Sequence, residues 1–168
     1  MTQFARPASD ISLGGWSGPA WSKLNEVVPD DDAGYTEKTG SGVLEIGLSG
    51  IDDPGVRTDH VIRFSPKQQI GGGAKESLLC ELYDGLTKIT EISSGSLTRG
   101  AYIIVEHAIP EAEANLIADY NLIFKFTPNQ GGAEVMRLTW AEIQIPDASN
   151  GTKRIFGNLY QFMTMLNP

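Results

Sequence analysis

One cysteine, two histidines and three tryptophans stand in 168 residues, and many chemistries need more than that. A lone cysteine forms no internal disulfide. Cys80 sits in the apolar run SLLCELY and reads as a small buried hydrophobe, with no histidine or basic cluster beside it to make the thiol reactive. His60 and His107 lie in TDHVIRF and IVEHAIP. With no H-x-x-x-H, H-x-H or C-x-x-C pairing, a zinc ion has no local ligand set. The G-x-S-x-G elbow of serine hydrolases is missing, so a triad would need one of these histidines and an unmarked serine. The glycines of GGGAKES (residues 71–77) are followed by Lys75 but lead into an apolar strand pattern. A phosphate loop needs a long helix there, so this reads as a strand-to-strand loop.

Basic residues are scarce too: 13 Lys and Arg face 21 Asp and Glu, for a net charge of −8. That balance argues against a binder of nucleic-acid phosphates, which needs a clustered basic face, and against docking on anionic membranes. No run approaches the roughly 18–20 apolar residues of a membrane-spanning helix. The opening MTQFARPASD has no apolar core of a secretory signal. With Met1 in place, the expectation is a complete product made in a cytoplasm.

What the chain does have is a succession of short strand-like runs. They are Val43–Ser49, Asp59–Lys67, Glu76–Asp84, Leu86–Ser93, Ala101–Ile109, Asn121–Pro128 and Ala133–Pro146. Turn-forming clusters such as GSG, DDPG, GGG, SSGS, NQGG and DASNG bound them. ITEIS and LIFKFT alternate apolar and polar residues, so one face can be buried and the other solvated. Asp84-Gly85 signals a tight hairpin. Seven such strands predict an all-β fold, an antiparallel β-sandwich of jelly-roll type. One stretch departs from the pattern. IPEAEANLIADYN is rich in Ala and Glu, with Pro110 placed for a helix start, and predicts a short helix near residues 111–119. WSKLNEVV, closed by Pro29, suggests a helical turn.

Few residues are candidates for a site. Asp30, Asp31 and Asp32 in one loop, and Asp52 and Asp53 in another, are the carboxylates that calcium would use; neither loop follows D-x-D-x-D-G. Their plainer role is to solvate loops and to start the Asp53-Pro54-Gly55 turn. Glu106 and Glu142 fall in strands that could bring them together as the carboxylate pair of a glycosidase, an arrangement any acidic strand protein offers. Trp140, in the middle of RLTWAEIQIP, reads as core, whereas Trp16 and Trp21 flank Gly18-Pro19 in a loop where aromatic faces could stack on sugars. No catalytic residue and no cofactor is expected.

The order of these pieces carries a resemblance. DISLGGW (Asp10–Trp16), LNEVVPDDDAGY (Leu24–Tyr35) and DDPGVRTDHVIRF (Asp52–Phe64) come first, then AEANLIADYNLIFKF (Ala112–Phe126) and VMRLTWAEIQIPD (Val135–Asp147). Together they resemble a β-sandwich module found in virion genes of tailed bacteriophages. In that group a G-W arm leads to P-D-D-x-D-Y, then H-V-x-R-[YF], then a closing W-A-E strand. This chain departs at DDDAGY, where one extra residue separates the acids from Tyr35. The resemblance implies a non-enzymatic structural part of a virion, a decoration, neck, fibre or tail accessory protein. Such a part would be made in the host bacterial cytoplasm and would assemble with itself and with other virion proteins. The alternative is a carbohydrate-binding module contacting host glycans.

On this reading the chain divides into an N-terminal arm and entry loop (1–42), the sandwich (43–147) and an apolar tail (148–168). Trp16 and Trp21 pin the arm to the sandwich or to a neighbouring subunit. In the tail Ile155, Leu159, Phe162 and Leu166 recur at helical spacing, with Phe156, Tyr160 and Met163 beside them, as a face for assembly contacts.

Overall fold

Alternation of apolar and polar residues commits most of the chain to strands, and turn chemistry sets where they end. The computed structural model describes residues 2–29, 34–69, 76–129 and 134–147. In chain order the elements are β1 (Thr2–Ala5), β2 (Pro7–Ser12), α1 (Trp21–Leu24), β3 (Thr36–Thr39), β4 (Leu44–Leu48), β5 (Val61–Gln68), β6 (Ser77–Asp84) and β7 (Thr87–Ser93). They continue with β8 (Val105–Ala108), α2 (Glu111–Ala114), β9 (Leu122–Asn129) and β10 (Val135–Pro146). Two antiparallel five-stranded sheets result. Sheet I runs β1-β10-β5-β8, with β3 paired to the other half of β10's edge; sheet II runs β2-β4-β9-β6-β7. The expected all-β sandwich is therefore the fold.

The core lies between the sheets. Ile62, Phe64, Met136, Leu138, Ala141, Ile143 and Ile145 face in from sheet I, and Leu44, Ile46, Leu78, Cys80, Leu82, Phe124 and Phe126 from sheet II. Phe64 meets Phe126 edge-on across the sheets, with centroids 5.7 Å apart. Cys80 is fully buried, and burial pushes its thiol pKa up, so it packs as a small apolar group. The Asp84-Gly85 hairpin forms between β6 and β7, with Gly85 at φ 57° and Leu86 wholly exposed at the tip.

Three differences from the sequence expectations matter. Residues 2–12, read as an arm, supply one strand to each sheet and cross between them at Arg6. The helix near 111–119 is a single turn, Glu111–Ala114. The chain beyond it is captured by Asp84, whose carboxylate accepts N–H groups from Ala118, Asp119 and Asn121 at 2.7–2.8 Å. Those amides bond to a side chain instead of to a continued helix. The third difference is a register shift in β10 between Leu138 and Trp140. The extra residue, Thr139, is a β-bulge, and it turns Trp140 away from the interior.

Candidate functional site

The bulge decides what the outer face of sheet I looks like. Leu138 and Ala141 point inward opposite Pro66 and Phe64, while Trp140 is registered with Ser65 on the outside. Expected in the core, Trp140 is only 5% exposed, yet it is buried on the outer face and not among the residues packed between the sheets. Its indole Nε1 donates to Glu26 O at 2.9 Å, and Thr139 Oγ1 donates to Gly34 O. Chain segments on both sides of residues 30–33 thus lie over this half of the sheet. Tyr35 covers the Arg137 guanidinium at 4.0 Å, and Arg137 Nε donates to Glu37 at 3.0 Å.

Beside this roof the same face stays open and becomes strongly polar. Strand pairing aligns Glu106 on β8, Arg63 on β5 and Glu142 on β10 in one row, and Arg6, just past β1, reaches it from the far side. Arg63 Nε donates to Glu106 Oε2 at 2.6 Å, and its NH1 donates to Gln144 Oε1 at 2.7 Å and approaches Glu142 Oε1 at 3.4 Å. Arg6 NH2 donates to the other Glu142 oxygen at 2.9 Å. One nearly buried carboxylate therefore holds two guanidinium groups. Phe4 stands opposite Gln144 at 39% exposure, with the Arg6 guanidinium 5.1 Å from its ring centre. With strands about 4.8 Å apart, the row from β1 to β8 is roughly 14 Å wide.

Two buried polar atoms on this face have no hydrogen-bond partner among the described residues: Arg6 Nε and the hydroxyl of Ser65. Native structures rarely leave such groups unmet without a reason. Arg63 is a fork of five N–H donors, of which the named bonds use only part. An exposed ring beside planar, bidentate hydrogen-bonding groups can recognise a flat ligand rich in hydroxyls. The two carboxylates raised as a catalytic pair, Glu106 and Glu142, do meet on this row, but Arg63 stands between them and is ion-paired to both.

The other sequence candidates lie elsewhere. Trp16 is 3% exposed, inside the core, and its Nε1 donates to Gly42 O at 3.0 Å. Trp21 begins α1 and is partly buried against the core; its N–H and that of Ala20 bond to the Asp10 carboxylate. The Trp16 ring offers no open stacking surface. Asp53 Oδ1 accepts from Gly55 N, Arg57 NH1 and Tyr120 OH, and the Arg57 bond leads in holding its carboxyl below the usual range. Its partner is a guanidinium where calcium was considered. Asp52 is tied through its backbone to the Gln3 side chain. Among the described residues no three or more His, Cys, Asp or Glu side chains gather as metal ligands. Asp30, Asp31 and Asp32, and the tail residues Ile155, Phe156, Leu159, Tyr160, Phe162, Met163 and Leu166, lie outside the described residues. His60 is buried, and its Nδ1–H donates to Thr58 O at 2.9 Å.

Sequence reasoning missed Arg6, Arg63, Gln144, Ser65 and Phe4. The available signal was the polar side of two alternating strands, Trp140-x-Glu142-x-Gln144 and Arg63-x-Ser65-x-Lys67.

The sequence matches no family model and no curated protein. Solved structures do resemble the fold. The xylan-binding module CBM15 aligns over 89% of this chain and 99% of its own length, at 12% identity and a TM-score of 0.52. A mutant of the family 29 carbohydrate-binding module CBM29-2 aligns over 96% and 98%, at 11% identity and TM-score 0.46. The module TmCBM61, solved in complex with β-1,4-galactotriose, aligns over 87% and 88%, at 6% identity and TM-score 0.44. The likeness to a xylan-binding module runs against the bacteriophage virion reading, which no family model or curated protein supports either. Two of the motifs that suggested it have a role in the fold: the G-G-W stretch seats Trp16 in the core, and W-A-E marks the β10 bulge.

Proposed function

We propose that this chain is a non-catalytic carbohydrate-binding module and that its ligand lies on the open half of the outer face of sheet I. The observation that carries the reading is the row Arg6–Glu142–Arg63–Glu106, extended by Gln144 and flanked by the exposed Phe4 ring. Sugars present vicinal hydroxyls that pair with fork-shaped and planar side chains, and apolar C–H faces that pack on aromatic rings. Held in place by one another, the row's side chains keep one geometry before any ligand arrives, which lowers the ordering cost of binding. The sandwich that a xylan-binding module shares with this chain at TM-score 0.52 supports the reading as a scaffold able to carry such a face.

The test is affinity electrophoresis through gels containing xylan, mannan, β-glucan or galactan. At least one polysaccharide should retard the protein saturably. Arg63→Ala should abolish the retardation, while Lys125→Ala on sheet II should not. No retardation by any polysaccharide, or equal loss in both variants, would remove the proposal.

A further inference from the structure

Glu106 differs from every other member of the row. Glu142 is nearly buried and bonded to two arginines, whereas the Glu106 side chain is 59% exposed on the edge strand β8 and, among the described residues, is ion-paired to Arg63 alone. It lies on the Nε edge of the guanidinium, which is one of the edges a carboxylate uses for two-point binding. The protein thus fills with its own carboxylate a position where an acidic ligand would otherwise dock.

Resting on the carbohydrate reading above, we infer that Glu106 sets ligand charge: it occupies Arg63 as an internal carboxylate, so the face accepts neutral glycans and rejects uronate-bearing ones. A sugar carboxylate reaching Arg63 must displace Glu106 or sit within a few ångströms of it. Two like charges about 4 Å apart in a partly solvated site disfavour each other by a tenfold factor or more in affinity. The row balances two cations against two anions, so no surplus positive charge offsets that repulsion. The chain's net charge of −8 acts in the same direction at long range. A neutral oligosaccharide meets neither obstacle and can bond through its hydroxyls to the carboxylate oxygens as well as to the guanidinium donors.

The experiment is calorimetric titration of the whole chain. The probes are neutral hexasaccharides of xylose, mannose, glucose and galactose, and hexasaccharides of galacturonate and mannuronate. Three further proteins are compared: Glu106→Ala, which frees the Nε edge of Arg63; Glu106→Gln, which keeps an acceptor without the charge; and Glu91→Ala. Glu91 is the matched control: 58% exposed, ion-paired to Lys88 and on sheet II, it removes the same unit of charge from the opposite face. We expect the wild type to bind a neutral probe at least tenfold more tightly than either uronate. Glu106→Ala should narrow that ratio by about tenfold, Glu106→Gln by less, and Glu91→Ala should leave it as it was.

A wild type that prefers a uronate, a ratio unmoved in Glu106→Ala, or an equal shift in Glu91→Ala would each overturn the inference while leaving carbohydrate binding intact. A wild type that binds no probe would overturn both. Because the Glu106 side chain is half exposed, its loss should leave the melting temperature within a few degrees, so an unfolded variant does not blur these outcomes.

Discussion

Both sheets turn a row of charges outward, and the two rows do different things. On sheet II, Glu45, Lys125, Glu81 and Glu91 are aligned by strand pairing. Lys125 bonds to Glu45 at 3.0 Å and lies 4.6 Å from the Tyr83 ring centre, and Lys88 reaches both Glu81 and Glu91. These side chains are 18–58% exposed, so the row reads as a solvated ladder of surface ion pairs. On sheet I one carboxylate at 5% exposure serves two arginines, two polar atoms have no partner among the described residues, and an aromatic ring stands open alongside. The same residue types form a coat on one face and, on the other, the interlocked row proposed above as the ligand site. The physical cause is the β10 bulge, with the chain segments around residues 26 and 34 laid over it, which walls off one half of sheet I.

Substitutions should separate the faces sharply. Trp140→Ala removes the ring that supports the roof and its bond to Glu26, and should cost about 4 kcal/mol, or roughly 12 °C in melting temperature. Glu142→Ala strands two guanidinium groups in a partly buried site and should cost about 3 kcal/mol by denaturant titration. A melting temperature for Glu142→Ala within about a degree of the wild type would make the sheet I row another surface ladder.

Acid sensitivity should belong to sheet I as well. His60 leads into β5, and burial above all holds its imidazole pKa below the ordinary 6.5. The unfolded chain then takes up this proton first. The contribution is complete above about pH 6.5 and is lost as the pH falls through the lower, folded value. Melting temperature should drop across that window, and the slope should flatten in His60→Gln. The smallest effect is expected on sheet II, where Lys125→Ala breaks an exposed pair and should change stability by less than about 1 kcal/mol.

The same contrast explains what could be read from the sequence. Seven strands were legible because most of β4 to β10 have an apolar side that alternates, and because turn residues end them; β8, an edge strand with no buried residue, was legible from its apolar flank Ala101–Val105. The strands β1, β2 and β3 (TQFA, PASDIS and TEKT) were not, since edge strands with little buried surface carry little period-two signal. The sandwich followed from the legible strands. The row on sheet I did not, because Arg6, Arg63, Glu106 and Glu142 are assembled by pairing four strands separated by 43 to 136 residues. No local motif encodes such a row. Tryptophan misled for a related reason: Trp16 looked available in a loop and is core, while Trp140 followed the alternation until one extra residue, Thr139, reversed its side.

The most direct test of the account is a backbone-amide NMR titration with the oligosaccharide that binds most tightly among the neutral probes. The shifted amides should belong to β1, β5, β8 and β10, with the largest changes around Arg63, Ser65, Glu142 and Gln144, while β6 and β9 on the other sheet stay in place. Shifts centred on Tyr83, Glu81 and Lys125 instead would put the ligand on the charged ladder and contradict the assignment of the site.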